Sequence, residues 1–171
     1  ILSQGACLLD CGDASRREIL KKKESIIMNM VFLKEQPYFL DVWKENVAAE
    51  PDRLFLTDEI HPDGMTRREA DELSAKVYAW LKKQEIGTED FVLVCLPRGI
   101  MIPIAMMGVW KAGAAVTVVE DTYAAERIEF IRKDCNCKTV IDISSWEEII
   151  NEEPLSGFQR AQDHDAALAV Y

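Results

Sequence analysis

The side chains with the type and spacing for chemistry lie mostly at the ends of apolar runs. Pro97-Arg98-Gly99 follows the run Phe91 to Leu96. A guanidinium there can touch an anion, though a surface contact between elements is the plainer role. Glu120-Asp121-Thr122-Tyr123 follows Ala114 to Val119. Its acidic pair has donors suited to a divalent cation, while Asp121 or Thr122 also suits the N-cap of a following helix, which is the role expected here. His61 and His164 are the only histidines. Each sits beside a turn or an acidic loop, which leaves a Ser-His-Asp arrangement little material. Cys135-Asn136-Cys137 has no evident metal partners and reads as a turn that ends a helix. No residue of this sequence is therefore assigned to catalysis, to a metal or to a cofactor.

The elements that position these residues follow from the hydrophobic pattern. Phe39, Val42, Trp43 and Val47 recur at helical spacing, and Pro51 stops that helix. Leu54 to Thr57 predicts a short strand and His61-Pro62-Asp63-Gly64 a turn. Thr66-Arg67-Arg68-Glu69 opens a helix with a capping box; Ala70, Leu73, Val77, Trp80 and Leu81 form its buried stripe, and Gly87 is expected to end it. Then the chain alternates. Strands are expected at Phe91–Leu96, Ala114–Val119, Thr139–Ile143 and Ala166–Tyr171. Helices are expected at Ile100–Lys111, at Ala124–Lys133 with Ile128 and Ile131 inward, and after a cap at Ser145-Trp146-Glu147-Glu148. Met101, Met106 and Met107 read as core packing. Strands apolar throughout and separated by helices describe an α/β fold, a parallel sheet with helices on both faces.

Composition excludes several functions. Thirty acidic against twenty basic residues give a formal charge of -10. That argues against nucleic acid or anionic lipid as a partner, because both need clustered Lys and Arg. Five scattered cysteines suggest neither a disulfide framework nor a zinc site and fit a reducing, cytoplasmic setting. The longest apolar stretch, Gly99 to Trp110, is well short of the ~20 residues a membrane span requires.

Residues 1–36 read as an N-terminal extension. Lys21-Lys22-Lys23-Glu24 lies a few codons before Met28 and Met30, and a purine-rich ribosome-binding site would spell such residues if translated. Residues 1–27 are therefore expected to precede the native start, and peptides from Ile1 to Leu20 in native protein would refute this.

One stretch goes beyond fold class. Val109 to Ile131, VWKAGAAVTVVEDTYAAERIEFI, resembles the second core motif of the adenylate-forming enzymes. In that family an apolar helix ends in Leu-Lys-Ala-Gly, a strand follows, and a Tyr-Pro-x-Glu-Arg-Ile/Leu segment starts the next helix. Trp110-Lys111-Ala112-Gly113 and Tyr123-Ala124-Ala125-Glu126-Arg127-Ile128 occupy those places. The stretch from Met65 to Gly99 resembles the first core motif and its sequel, with a Gly-x-x-Asp turn at Gly87 to Asp90. AALAVY, Ala166 to Tyr171, resembles the approach to the third motif. Departures are Arg67 for Tyr, Ala70 for Leu and Ala124 for Pro. Gly113 is expected to permit a tight helix-to-strand turn, Ala112, Ala114 and Ala115 a close helix-to-sheet approach, and Arg127 with Glu126 to brace the next helix start.

The resemblance implies that residues 37–171 form the N-terminal part of an AMP-binding adenylation domain. It implies a ligase that uses ATP and magnesium to convert a carboxylic acid into an acyl-adenylate. The Tyr-x-x-Glu-Arg-Ile form favours amino-acid-activating members, such as nonribosomal peptide synthetases and D-alanine:carrier protein ligases. The acyl group would then pass to phosphopantetheine on a carrier protein. The alternatives are an aryl or fatty acyl-CoA synthetase with CoA as acceptor, and a non-catalytic binding module. The resemblance places the phosphate-binding loop immediately after Tyr171 and the acid pocket and catalytic Lys beyond it, so these 171 residues alone are expected to be inactive.

Overall fold

A strand that is apolar at every position needs cover on both faces, and β3 (Phe91–Leu96) has it. In this computed structural model, which describes residues 38–171 except residue 163, Val92, Val94 and Leu96 face one core while Phe91, Leu93 and Cys95 face the other. The expectations for the N-terminal extension lie outside the described residues. Beside β3 lie β4 (Ala115–Glu120) and β5 (Thr139–Ile141), and β6 (Leu168–Ala169) pairs with β4. The order is β5-β3-β4-β6 and every pairing is parallel.

The helices divide between the two faces. α1 (Phe39–Ala49), α2 (Arg67–Lys83), α3 (Met101–Lys111) and α5 (Ile143–Ile149) supply the larger core through Trp43, Val77, Leu81, Ile104 and Ile149. α4 (Ala125–Asp134) covers the other face through Ile131, packed with Leu93, Val119 and Cys137. Met107 is buried, and Met101 and Met106 pack against the larger core, as expected. No described helix is long and apolar enough to cross a membrane.

The first elements form a separate hairpin. β1 (Leu54–Leu56) pairs antiparallel with β2 (Met65–Thr66) through the turn at His61 to Gly64. Thr66 both ends this strand and caps α2: its hydroxyl accepts from the Glu69 N–H, and the Glu69 carboxylate accepts from the Thr66 N–H at 2.8 Å. Arg67, at the departure from Tyr, ties α1 to α2 by donating to the Asn46 carbonyl and the Glu50 carboxylate.

Several element ends differ from the sequence expectation. α2 ends in a Schellman turn in which Ile86 N–H donates to the Leu81 carbonyl and Glu85 N–H to that of Lys82. The left-handed residue is Glu85, at φ 60°, not Gly87, whose N–H is instead taken up by the Asp90 carboxylate. β5 stops at Ile141 because Asp142 is the N-cap of α5, its carboxylate accepting from the Ser145 N–H at 2.9 Å. β6 is shorter than Ala166–Tyr171 and is not buried: among the described residues it lies at the edge of the sheet, and Leu168 and Val170 are exposed. Phe39, too, is exposed, with its ring edge-on to Trp110; Leu40 takes the inward place.

Two glycines are fixed by close approach. A Cβ on Gly108 would lie 2.3 Å from Val77 Cβ, so α2 and α3 cross at this point without room for a side chain. Gly113 turns the chain from α3 into β4 at φ 76°, with Ala112, Ala114 and Ala115 buried around it, as expected. The segment after α5 crosses beneath these turns. Gln159 N–H donates to the Lys111 carbonyl at 2.7 Å and Ala166 N–H to the Glu89 carboxylate, which delivers the chain to β6.

Candidate functional site

The chain leaves β3 for α3 on one face of the sheet and leaves β4 for α4 on the other. Loops that diverge from neighbouring parallel strands open a crevice at the strands' carboxyl ends, where ligands bind in folds of this kind. The two strand ends singled out from sequence, Arg98 and Glu120 to Tyr123, therefore face each other. They are brought together directly: the Arg98 guanidinium is hydrogen-bonded to the Glu120 carboxylate across the crevice. That contact holds the Glu120 carboxyl below its usual range and raises Arg98. Both side chains remain solvent-accessible, at 82% and 42%.

The acidic loop does not cap α4. Tyr123 N–H closes a turn onto the Glu120 carbonyl, which leaves Asp121 and Thr122 short of the helix, and Ala124 occupies the N-cap without a side-chain hydrogen bond. Thr122 donates instead to Glu120 at 3.3 Å. Arg127 lies over the ring of Phe130, 5.8 Å from its centroid, so the guanidinium packs along its own helix.

On the other side of the crevice, Asp58 holds the start of α3. One carboxylate oxygen accepts from Ile100 N–H at 3.0 Å. The other accepts from the N–H groups of Ile60 and His61 and lies 2.9 Å from His61 Nδ1. The Ile100 amide is the chief reason that the Asp58 carboxyl titrates at about 2. A Cβ on Gly99 would lie 2.6 Å from this carboxylate, so glycine lets Asp58 approach. Asp58 was not singled out from sequence, yet Asp58 followed by a turn at His61 is the pattern of a side chain that binds backbone ahead of it.

The remaining candidates lie elsewhere. His61 serves Asp58, and His164 Nε2 lies 3.8 Å from Asp165. Burial pushes the Cys95 thiol up, and Asp121 and Asp142 add to it, which is the wrong direction for a nucleophile. Cys135-Asn136-Cys137 is the expected helix-ending turn, with Asn136 at φ 52°. Among the described residues no group of three or more His, Cys, Asp or Glu could hold a metal. A groove of about 330 Å3 beside α2 is lined by Met65, Glu69, Leu73 and Lys76 among others. Its polar rim is partly satisfied already, since Glu69 belongs to the capping box and Lys76 donates to the Ile150 carbonyl.

Comparison with known proteins fits this architecture. Peramine synthetase A of Epichloe festucae is 31% identical over 105 residues, 61% of this chain and 4% of the relative. A probable non-canonical nonribosomal peptide synthetase, CymA of Salinispora arenicola, is 35% identical over 103 residues, 60% of this chain and 1% of the relative. The chain thus spans a few per cent of the length of these relatives. Among solved structures, the N-terminal subdomain of Klebsiella oxytoca NpsA in complex with 3-hydroxyanthranilyl-AMSN superposes with a TM-score of 0.67 at 20% identity, covering 78% of this chain and 36% of that one. At that identity the likeness establishes the fold. The family model described as AMP-binding enzyme matches residues 43–169, and the chain belongs to that family.

Proposed function

We propose that this chain is the N-terminal part of an adenylation domain in a ligase that activates an amino acid. In this reading the acid's carboxylate attacks the α-phosphate of ATP, pyrophosphate leaves, and the acyl-adenylate passes its acyl group to the phosphopantetheine thiol of a carrier protein in the cytoplasm. The observation that carries the reading is the family match over most of the described chain, joined to a relative named as a probable nonribosomal peptide synthetase.

The described residues supply the scaffold of that site. Arg98 is the guanidinium at the crevice, and it is committed to Glu120. The phosphate, magnesium and acid contacts are assigned to the segment after Tyr171, where the motif resemblance places them. Magnesium would there offset charge on the departing pyrophosphate.

The test is ATP–pyrophosphate exchange by the complete protein with a panel of amino, aryl and fatty acids. Exchange driven by one or a few amino acids is the expected result. Exchange with aryl or fatty acids alone would overturn the acid class, and exchange with none of them would overturn the ligase reading. Residues 1–171 alone are expected to give no exchange.

A further inference from the structure

Two side chains at the end of α4 converge on the phenol of Tyr171. Its hydroxyl donates to Asp134 Oδ2 and accepts from Cys135 Sγ at 3.2 Å. Cys135 Sγ in turn lies 3.4 Å from Thr117 Oγ1 in β4. Asp134 is the last residue of α4 and Cys135 its C-cap. Among the described residues the end of β6 has few other attachments. Its register with β4 covers Leu168 and Ala169, opposite Val116 and Thr117, and stops there. Val170 is 82% exposed and gains nothing from burial. Beyond Ala169, the phenol is the contact that fixes the backbone direction among the described residues.

Resting on the ligase reading above, in which the segment following Tyr171 holds the ATP phosphates, we propose that Asp134 and Cys135 are positioning residues for ATP. They act through Tyr171: by holding its hydroxyl at the end of α4 they set the point and angle at which the chain leaves the sheet for the nucleotide. A phenol hydrogen-bonded to a carboxylate is a charge-assisted contact, stronger and more directional than a neutral one. Asp134 first, then Cys135, push the Tyr171 hydroxyl's pKa up, in keeping with a phenol that donates its proton to a carboxylate. A displacement of about 1 Å in a positioning group can cost a large factor in rate or binding.

The test is initial-rate ATP–pyrophosphate exchange by the complete ligase. The variants are Tyr171→Phe, Asp134→Ala and Cys135→Ala, with Asp134→Asn and Cys135→Ser as conservative forms that keep an acceptor and a donor. The KM for ATP is expected to rise about 3- to 10-fold in the first three, with the KM for the acid and the thermal midpoint unchanged. Asn and Ser are expected to restore most of the loss, and Asp134→Ala combined with Tyr171→Phe to be no worse than the poorer single variant. An unchanged ATP KM in Tyr171→Phe and Asp134→Ala overturns the proposal. So does a parallel rise in both KM values with a lowered midpoint, since that marks a general structural defect. A wild-type enzyme that exchanges with no acid is a separate outcome, which overturns the ligase reading and this proposal with it.

Discussion

The ammonium of Lys111 is buried under α2 with its charge held by Asp71: Nζ donates to Asp71 Oδ1 at 2.8 Å and to the Asp71 carbonyl at 2.9 Å. Trp43 Nε1 donates to the same carboxylate oxygen at 2.8 Å, so one acid joins α1, α2 and α3. Burial pulls the Lys111 pKa down while Asp71 opposes it. Removing one member of such a pair strands the other, whereas replacing the buried cation by an apolar chain of similar volume removes the desolvation cost along with the attraction. Asp71 is 40% exposed, which moderates the effect. Asp71→Ala is expected to destabilise the fold by about 1–3 kcal/mol and Lys111→Met by less than about 1 kcal/mol in urea unfolding.

The crossing of α2 and α3 at Gly108 gives a sharper test. An added Cβ would meet Val77 Cβ at 2.3 Å and the Ser74 carbonyl at 2.9 Å. Gly108→Ala therefore forces the helices apart and is expected to cost about 1–3 kcal/mol, despite alanine's better helix propensity. Val77→Ala leaves the offending Cβ in place and should not fully restore the thermal midpoint of Gly108→Ala. Val77 Cγ1 also lies 2.4 Å from the added Cβ, so its removal gives partial relief, whereas full recovery by Val77→Ala would mean that this methyl alone carries the clash and that the helices are farther apart.

What the sequence revealed tracks how local its cause is. β3 was legible because an unbroken apolar run has one stable environment, a sheet covered on both faces, and the start of α2 because Thr66 and Glu69 satisfy each other within one turn. The end of α2 was misplaced because glycine is the usual left-handed residue, while here the burial of Ile86 against Leu81 fixes the turn and Glu85 takes the strained φ. β2 was hidden because Thr66 serves strand and cap together. The roles of Asp58, Lys111 and Tyr171 were not legible, since their partners lie 42, 40 and 37 residues away in sequence. Of the crevice, its location at the ends of β3 and β4 could be read from the alternation of strands and helices. The Arg98–Glu120 pairing across it could not, because register between strands is a tertiary property.

Glu85 offers a stabilising change. At φ 60° a residue with a Cβ is strained by roughly 1 kcal/mol, and glycine is not. Glu85→Gly is expected to raise stability by up to about 0.5 kcal/mol, net of the added freedom of the unfolded chain. Asn136→Gly, at φ 52°, should gain less because asparagine tolerates this region. Paired thermal melts of the two variants check the ranking; equal gains would mean that the Schellman turn does not strain Glu85 more than the α4 end strains Asn136.

Acid stability separates two carboxylates with similarly low pKa values. Asp58 and Glu129 both titrate at about 2, from ordinary values of 3.8 and 4.5. A carboxyl whose folded pKa is depressed contributes stability that is fully present above the unfolded value and is lost as pH falls through the folded one. Both therefore weaken the fold between about pH 4.5 and pH 2, but for different reasons. Glu129 is held first by Arg132 and then by Lys133 on an exposed helix face, where salt screens the attraction. Asp58 is held first by the Ile100 amide at the start of α3, a contact with a backbone group that salt screens little. Asp58→Asn is expected to flatten the loss of stability between pH 4 and pH 2 equally at low and high salt. Glu129→Gln should flatten it only at low salt. Stability measured against pH in both salt conditions decides the matter: a salt-dependent Asp58 effect would show that His61, not the Ile100 amide, dominates the environment of that carboxylate.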